Sequence, residues 1–436
     1  MQELRSRGRP LEHLFFFPVQ YRTGRKLLTW FYNTFDLSKS SPIPRSVIPA
    51  PDATSVPRGL MAMLAAAAFC AAASMHFHTP MLGKIASDFG VGAAAAGWIA
   101  TLTFGGYLVG MIFIVPLGDR VDKRHLILAQ MLGLLASTVA MALAPSLPAA
   151  AAAGFVLGAC SCISQIVVPV VVELAPPSGR GRMVGTLLSA LFLGILFGRL
   201  TGGFIAGHLG WRWAFALSAV MICVLVPALW RYLPSMPARV SMPYGALMRS
   251  VIDLIRTRPE LRRTSTIQLL LGVCYGGFWA TIAPAMALLH RLGPAEAGLM
   301  GIPGASGILI SRPAGRWMDR RGAFPVVTTA VCLVLGASVL MEFAGWSVWI
   351  MAAGAALLDC GLRGSLVANQ TQISTFAPEA RSRINTVFGA YMWGGNSVGA
   401  LLASMALAHF GWNATCSVFA ACGIAALALQ LASRRA

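Results

Sequence analysis

The amino-acid sequence predicts an all-α membrane protein with twelve transmembrane helices in two pseudo-symmetric six-helix bundles. Hydrophobic residues make up 57% of the 436-residue chain and charged residues only 11%, whereas soluble domains carry about 25% charged residues. From Gly59 onward, apolar runs of about 20 residues follow one another, and each is long enough to cross the hydrocarbon layer of a bilayer. Charged landmarks recur between these runs, which indicates a duplicated half.

The duplication rests on two pairs of landmarks. The turns at 116–124 and 315–322 each contain an Asp-Arg pair, and Asp119 and Asp319 lie about 200 residues apart. Arg180 and Arg381 each follow a proline-containing turn and keep nearly the same spacing. A repeat of this length is too long for a solenoid and suits a membrane protein made of two sister bundles.

The apolar runs predict the individual spans. We expect all of them to be helices, because an unpaired backbone group in lipid costs several kcal/mol. Abundant glycine, alanine and serine favour close contacts between these helices. We place the spans at about 59–79, 94–115, 125–144, 148–172, 184–206, 212–232, 264–289, 295–315, 324–343, 347–372, 384–408 and 412–432.

The spans divide the chain into four parts. Residues 1–57 hold eight Lys/Arg against four acidic residues and end in a proline-rich stretch, so we expect a disordered basic tail on the cytoplasmic side. No methionine lies between Met1 and Met61, and a natural start near Met61 is the alternative. We predict a first bundle at 58–232, a cytoplasmic connector at 233–263 and a second bundle at 264–436. Within the connector, 244–258 has the pattern of an amphipathic helix lying along the inner membrane surface.

The distribution of basic residues predicts the orientation. Lys and Arg cluster in alternate turns, whereas the intervening turns hold few of them. Because basic residues accumulate on the cytoplasmic side, both termini are expected there, in a bacterial inner (plasma) membrane. The net charge of +19 therefore reflects this asymmetry, and we expect no nucleic-acid binding. The expected partners are a small-molecule substrate, protons and the lipid bilayer, with the chain acting as a monomer.

The charged turns resemble the signature of the major facilitator superfamily, G-x-x-x-D-R-x-G-R-R, between its second and third spans. Asp119, Arg120, Lys123 and Arg124 match this signature, while Val115 and Asp122 stand in place of its glycines. In the second copy Gly315, Asp319, Arg320 and Gly322 match. The resemblance covers the chain from Gly59 to its end and implies a transporter. We expect the turn residues to form a gate that breaks and re-forms as the halves move, with these members: Asp119, Arg120, Arg124, Glu173, Asp319 and Arg320.

The fifth span resembles the drug/proton antiporter (efflux) branch of that superfamily, whose pattern is G-x8-G-x3-G-P-x2-G-G. Arg199 stands where that pattern has proline, and Gly154 stands where the branch has an arginine in the fourth span. The glycines predict a close helix–helix contact and a smooth face between the halves. The alternative is that these glycines carry no family signal, because any tightly packed membrane helix collects small residues. The matching glycines are Gly185, Gly194, Gly198, Gly202 and Gly203.

Three charged residues stand out in the interior of the predicted spans, where each costs about 2.5–3.5 kcal/mol. Arg199 lies in the fifth span, and Asp359 and Arg363 lie one turn apart in the tenth. One interpretation makes Asp359 the proton-coupling carboxylate, with Arg363 tuning its pKa and Arg199 contacting the substrate. The other makes Asp359 and Arg363 a permanent buried ion pair. Further candidates for the substrate pocket are Asn369, Tyr275 and Trp279, although aromatic packing is the alternative for the last two.

The sequence contains no nucleotide-binding loop, metal triad or nucleophile elbow, so we expect no enzyme activity and no cofactor. Energy then comes from an ion gradient. The first hypothesis is proton-coupled efflux of small organic compounds by alternating access. The second is an uptake symporter for a small organic anion, with Arg199 and Arg363 clamping a carboxylate. The third is a membrane sensor or scaffold that has lost transport.

Overall fold

The computed structural model describes residues 57–175, 179–237, 244–373 and 381–432, and these residues are helical almost throughout. The predicted tail at 1–57 lies outside this range except for Pro57. The helices are α1 Arg58–His76, α2 His78–Asp88, α3 Ala93–Val109, α4 Lys123–Ala142, α5 Leu147–Ser161, α6 Ser164–Leu174, α7 Arg180–His208, α8 Trp211–Tyr232, α9 Tyr244–Thr257, α10 Pro259–His290, α11 Pro294–Leu299, α12 Gly301–Gly304, α13 Ser306–Arg321, α14 Ala323–Glu342, α15 Val348–Ile373 and α16 Arg381–Ala432.

These helices confirm the prediction of twelve spans. Ten stretches of the described chain are long and apolar enough to cross a membrane. The last of them, Arg383–Ala432, contains two spans, because Gly411 leaves helical geometry with a φ of 80°. The span predicted at 295–315 is the remaining one, and it is divided among α11, α12 and α13.

Several spans are interrupted where the sequence prediction has continuous helices. The first passes from α1 to α2 at Phe77, which keeps helical backbone angles, and continues to Asp88, beyond its predicted end at 79. The second passes from α3 into a π turn at Gly110–Ile114 and a 3-10 turn at Val115–Asp119. Pro116 explains this change, because proline has no backbone N–H to continue the α-helical hydrogen bonds.

The connector contains the predicted amphipathic helix, which is observed as α9. Its apolar residues Val251, Leu254 and Ile255 pack against a cluster that includes Leu261 at the start of α10 and Ile384 on α16. The apolar face of α9 is therefore covered by the ends of two transmembrane helices. The next span begins earlier than predicted, because Pro259 occupies the first turn of α10, where proline is well tolerated.

The two bundles have separate cores. One large cluster of buried apolar side chains comes from residues 60–236, joined only by Ala280 and Ala400 from the second half. A second cluster comes from residues 267–426. We call the end of the bundles that carries Lys123, Arg124, Arg320 and Arg321 the basic end, and the other the opposite end.

Candidate functional site

Glycines on α7 bring this helix close to α1, as the sequence predicts. A Cβ atom placed on Gly194 or Gly198 would lie 2.4 or 2.5 Å from the carbonyl oxygen of Phe69 or Ala73 on α1. Gly203 approaches the second bundle instead, where its Cβ would lie 2.3 Å from the carbonyl oxygen of Pro294. Gly202 packs on Phe77, but nothing lies within 4 Å of a Cβ at Gly185. The bundles are thus in backbone contact near the opposite end.

The face of α7 that looks towards the second bundle becomes progressively more exposed towards the basic end. Along this face Gly203 and Arg199 are buried, Phe192 is partly exposed, and Ser189 and Gly185 are exposed. Spacings of three, four or seven residues keep these positions on one side of the helix. A cleft between α7 and the α12–α13 region therefore widens from the contact at Gly203 towards the basic end.

The cleft brings the three intramembrane charges together around about 270 Å³ of empty space, part of which is open to the surroundings. Its walls come from α7 of the first bundle and from α12, α13 and α15 of the second. The side chains and glycines around it are Phe192, Ile195, Leu196, Arg199, Gly301, Gly304, Ala305, Ile308, Asp359 and Arg363.

Arg199 is held tightly at the closed end of the cleft. Only 3% of this residue is exposed. Its Nη2 donates a hydrogen bond of 2.8 Å to the Tyr275 hydroxyl, and its Cζ lies 3.3 Å from the centre of the Trp279 ring. Tyr275 and Trp279 lie on α10, so Arg199 crosses from the first bundle to the second. The structure thereby brings together three of the four residues predicted to bind substrate.

Asp359 lies on α15 and is 2% exposed. Its Oδ2 makes no hydrogen bond to any described residue. Arg199, Arg363 and the indole of Trp279 surround the carboxyl group closely enough to act on its charge. Gly304 permits this arrangement, because a Cβ there would lie 2.7 Å from Trp279 and 3.1 Å from Asp359 Oδ2.

The ion pair between Asp359 and Arg363, the second of the two interpretations from the sequence, is not formed. None of the ion pairs among the described residues joins them. The guanidinium of Arg363 is instead turned towards the first bundle, with its Cζ 4.7 Å from the centre of the Phe192 ring. A spacing of four residues places two side chains on one helix face, but it does not determine which rotamers they adopt.

Asn369 does not reach the cleft around Asp359, although the sequence places it among the candidates for substrate binding. It is 2% exposed and donates hydrogen bonds to Gln268 Oε1 at 3.3 Å and to Ser365 Oγ at 3.0 Å. Ser365 also donates to Gln268 Oε1 at 3.0 Å. These three residues form a polar contact between α10 and α15 inside the second bundle. The rotation of α15 about its axis decides where the Asn369 side chain points, and the sequence does not show this rotation.

The two charged turns at the basic end differ in their contacts. In the first copy, Lys123 pairs with Glu173, and Arg124 Nη2 donates to the Trp230 carbonyl at 2.6 Å. Asp119 lies near Lys123 and Glu173, and Arg120 is only partly buried. In the second copy Asp319 and Arg320 are exposed at the end of α13, and no hydrogen bond or ion pair joins them to another described residue in this conformation.

Asp122 has a role that the sequence prediction missed. It caps α4 by accepting a hydrogen bond of 2.8 Å from the Arg124 N–H, and it also accepts bonds from Ser235 Oγ and from the Met236 N–H at 2.9 Å. Ser235 and Met236 follow α8, so this carboxylate fastens the start of the connector to the first charged turn. The signal was present in the sequence, because Asp122 replaces a glycine of the signature.

Two further features of the cleft were not predicted. Phe192 carries no polar group to draw attention, and it lies seven residues, or about two helical turns, before Arg199 on the same face. Gly301, Gly304 and Gly307 recur at intervals of three and let α12 and α13 approach Arg199, Trp279 and the backbone of Asp359. This glycine spacing in the sequence could have indicated that α12 and α13 line the cleft, as the glycine pattern on α7 does for that helix.

Comparison with known proteins agrees with this architecture. A sequence model of the Major Facilitator Superfamily matches residues 64–364 and 268–434. The uncharacterized transporter YgaY of Escherichia coli O157:H7 is 31% identical over 362 residues, which cover 82% of this chain and 91% of that protein. The multidrug resistance protein B homolog of Mycobacterium tuberculosis is 23% identical over 418 residues, covering 80% of this chain and 76% of that protein.

A solved structure shares the fold. The bacterial homolog of the human lysosomal transporter Spinster, in an inward-facing and occupied conformation, aligns with a TM-score of 0.70. The alignment covers 86% of this chain and 96% of that chain, at 16% sequence identity. At this identity the likeness shows the fold alone.

Twelve membrane-spanning helices in two bundles, with charged residues gathered in a cleft between them, define a polytopic membrane transporter. This chain belongs to the major facilitator superfamily. The resemblance indicated by its charged turns is thereby confirmed.

Proposed function

We propose that this transporter is coupled to protons through Asp359 and moves small organic compounds by alternating access around the Arg199–Asp359–Arg363 cleft. One observation carries the proposal. Asp359 is buried at the inner end of a cleft between the bundles, and its Oδ2 lacks a hydrogen bond among the described residues. An ionisable group in a membrane interior is costly and is found there mainly for transport or as part of a structural pair, and no ion pair between Asp359 and Arg363 is formed among the described residues.

Alternating access supplies the proton step. When the cleft is open to one side, Asp359 exchanges a proton with the solution on that side. When the bundles rock, the same carboxyl group meets the other solution. Arg199 and Arg363 are close enough to respond to the change of charge on Asp359. We further propose that the basic end is cytoplasmic, that the charged turns act as its gate, and that the chain works as a monomer.

The test is the variant Asp359→Asn in proteoliposomes of known sidedness. The amide keeps the size of the carboxyl group but cannot exchange a proton at neutral pH. We expect substrate-dependent flux driven by an imposed pH gradient to disappear, while substrate binding persists. Asp253→Asn, on the exposed face of α9, is the matched control and should transport normally. Gradient-driven flux that survives in Asp359→Asn would contradict proton coupling at this residue.

Export is the first candidate direction. It is supported by the multidrug resistance protein among the relatives and by the glycines of α7, which match the pattern of the efflux branch. In an antiporter, proton and substrate exclude each other, so a proton on Asp359 should weaken substrate binding. Substrate accumulation in energised inside-out vesicles would support this direction.

Uptake of a small organic anion together with a proton is the second candidate, and the charges of the cleft favour it. Two guanidinium groups and a single carboxylate line the cleft. Guanidinium groups bind carboxylates through paired, charge-assisted hydrogen bonds. In a symporter, protonation of Asp359 strengthens binding of the anion. The sign of the pH effect on affinity therefore separates the two candidates before any flux is measured.

A further inference from the structure

We propose that Arg363, and not Arg199, is the group that binds the substrate, that the substrate carries an anionic group, and that the Phe192 ring covers Arg363 until substrate displaces it. This inference rests on the proposed function, because it assumes that the cleft is the transport site. It assigns different roles to two arginines that the sequence treats alike.

The two arginines differ in how accessible their guanidinium groups are. Arg199 is buried, donates to the Tyr275 hydroxyl and stacks on Trp279 at 3.3 Å. A substrate would have to break these contacts to reach it. Arg199 therefore serves as a fixed link between α7 and α10. The positive charge of Arg199 adds to the electrostatic potential in the cleft, but the face of its guanidinium is already covered by the Trp279 ring.

Arg363 is more accessible than Arg199, whose Nε also lacks a hydrogen bond among the described residues but is buried. It is only partly buried, and its guanidinium makes no hydrogen bond to any described residue. Its guanidinium lies over the Phe192 ring with its Cζ 4.7 Å from the ring centre, a looser contact than that between Arg199 and Trp279. Five N–H donors in a planar fork are thus available to an acceptor that enters from the basic end.

The charges around Arg363 specify the class of ligand. Arg199 approaches from α7, Asp359 lies on α15 itself, and His76 on α1 is near enough to both arginines to feel their charge. With Asp359 ionised the three charged groups sum to one positive charge, and with Asp359 protonated they sum to two. A cation is repelled in either state, whereas an anion is attracted in both and more strongly when Asp359 is protonated.

Phe192 adds a second element of recognition. Ile195, Leu196 and Ile308 surround the same space and give it an apolar wall. A ligand with a carboxylate and an apolar or flat body can place its charge on Arg363 and its body where the Phe192 ring now lies. Because the anion binds best with a proton on Asp359, this inference favours the symport candidate over export.

The experiment measures equilibrium binding to the full chain in lipid nanodiscs by isothermal titration calorimetry. The probes form two size-matched sets, benzoate, benzamide and benzylammonium in one, and hexanoate, hexanamide and hexylammonium in the other. We expect only the carboxylates to bind. Arg363→Gln should lower their affinity by about tenfold or more, because a charge-assisted pair is lost, and Arg363→Lys should recover part of it. Asp359→Asn should raise it.

Matched controls separate these roles from general packing. Arg231 is an exposed arginine near the Tyr232 ring, at 5.4 Å, so Arg231→Gln should bind like the unmodified chain. Phe192→Leu should strengthen carboxylate binding several-fold by removing the competing ring, whereas Phe204→Leu, on the exposed face of the same helix, should not. Arg199→Gln should lower the melting temperature while carboxylate affinity of the folded protein changes less than in Arg363→Gln.

Three results would overturn the inference: equal binding of ammonium and carboxylate probes, unchanged affinity in Arg363→Gln, or no binding of either carboxylate. All are read at equilibrium without a gradient. A failure here is therefore distinct from failure of proton coupling, which the flux of Asp359→Asn reports.

Discussion

The guanidinium of Arg199 lies against the face of the Trp279 ring, with 3.3 Å between the arginine Cζ and the ring centre. One residue belongs to α7 of the first bundle and the other to α10 of the second. The contact sits beside the Tyr275 hydrogen bond, just below the backbone contact of Gly203 with Pro294. The closed end of the cleft is therefore joined by a buried cation–π pair.

A double-mutant cycle on Arg199→Gln and Trp279→Phe should measure this pair. We expect a coupling of about 1–2 kcal/mol in the free energy of unfolding in mixed micelles, because the pair is desolvated. The pair of Arg212 with Trp211, at 4.4 Å, is the matched control, since the Arg212 side chain is 43% exposed. Its coupling should be smaller. Equal couplings would contradict a special role for the buried pair.

Gly203→Val should loosen the contact between the bundles at the opposite end. Its new Cβ would meet the Pro294 carbonyl at 2.3 Å, and a backbone atom cannot turn aside as a side chain can. Overpacking of this kind costs about 1–3 kcal/mol, so amide hydrogen exchange in α11 should quicken by about tenfold or more. Gly185→Val lies in open space and is the control. The same exchange rates in both variants would exclude the proposed contact.

The spans were predictable because lipid imposes a simple rule. A run of about 20 apolar residues must form a helix and cross the bilayer, and this requirement depends little on the neighbouring helices. Internal breaks were not predictable in the same way. The division of the eighth span into α11, α12 and α13 follows from how its glycines pack on Arg199 and Asp359, and that packing depends on helices distant in sequence.

The cleft was predictable in part for the same reason. A charge in a span is costly, so Arg199 and Asp359 marked the interior before their neighbours were known. The residues that contact these charges could not be predicted, because helix rotation and side-chain rotamers decide which residues they are. Asn369 turned into the second bundle, Arg363 turned away from Asp359 towards Phe192, and Lys123 rather than a predicted gate residue paired with Glu173.

The pKa of Asp122 predicts a pH dependence of stability. Burial opposes its ionisation, but hydrogen bonds from Ser235, the Met236 N–H and the Arg124 N–H outweigh burial and lower its pKa below the usual range. A depressed pKa means that ionised Asp122 stabilises the fold above its unfolded pKa of about 3.9 and that this stability is lost as the pH falls through the folded value.

Asp122→Asn should therefore destabilise the protein by about 1–2 kcal/mol at pH 7. The difference in melting temperature between variant and unmodified chain should persist to about pH 4 and shrink below it. Thermal unfolding from pH 7 to pH 3 checks this, with Asp253→Asn as an exposed control that should show no such difference. A difference that is already gone at pH 6 would rule out the assigned hydrogen bonds.

Tyr244 connects α9 to the irregular end of the second span. Its hydroxyl donates a hydrogen bond of 2.9 Å to the Phe113 carbonyl, which lies in the π turn at Gly110–Ile114. Since Pro116 interrupts the regular helical bonding there, a side-chain donor can reach this carbonyl. The rest of α9 packs through Val251 and Leu254 on helices of the second bundle, so Tyr244 spans the two halves.

Tyr244→Phe should release only the first turn of α9. A lost hydrogen bond of this kind costs about 0.5–1.5 kcal/mol, so amide exchange near Tyr244 should rise several-fold while exchange around Leu254 stays unchanged, because the apolar contacts remain. Tyr232→Phe removes a hydroxyl from a ring that is 62% exposed and is the control. If the whole of α9 exchanged faster in Tyr244→Phe, the apolar contacts would be too weak to hold the helix, and the hydroxyl would be its main attachment.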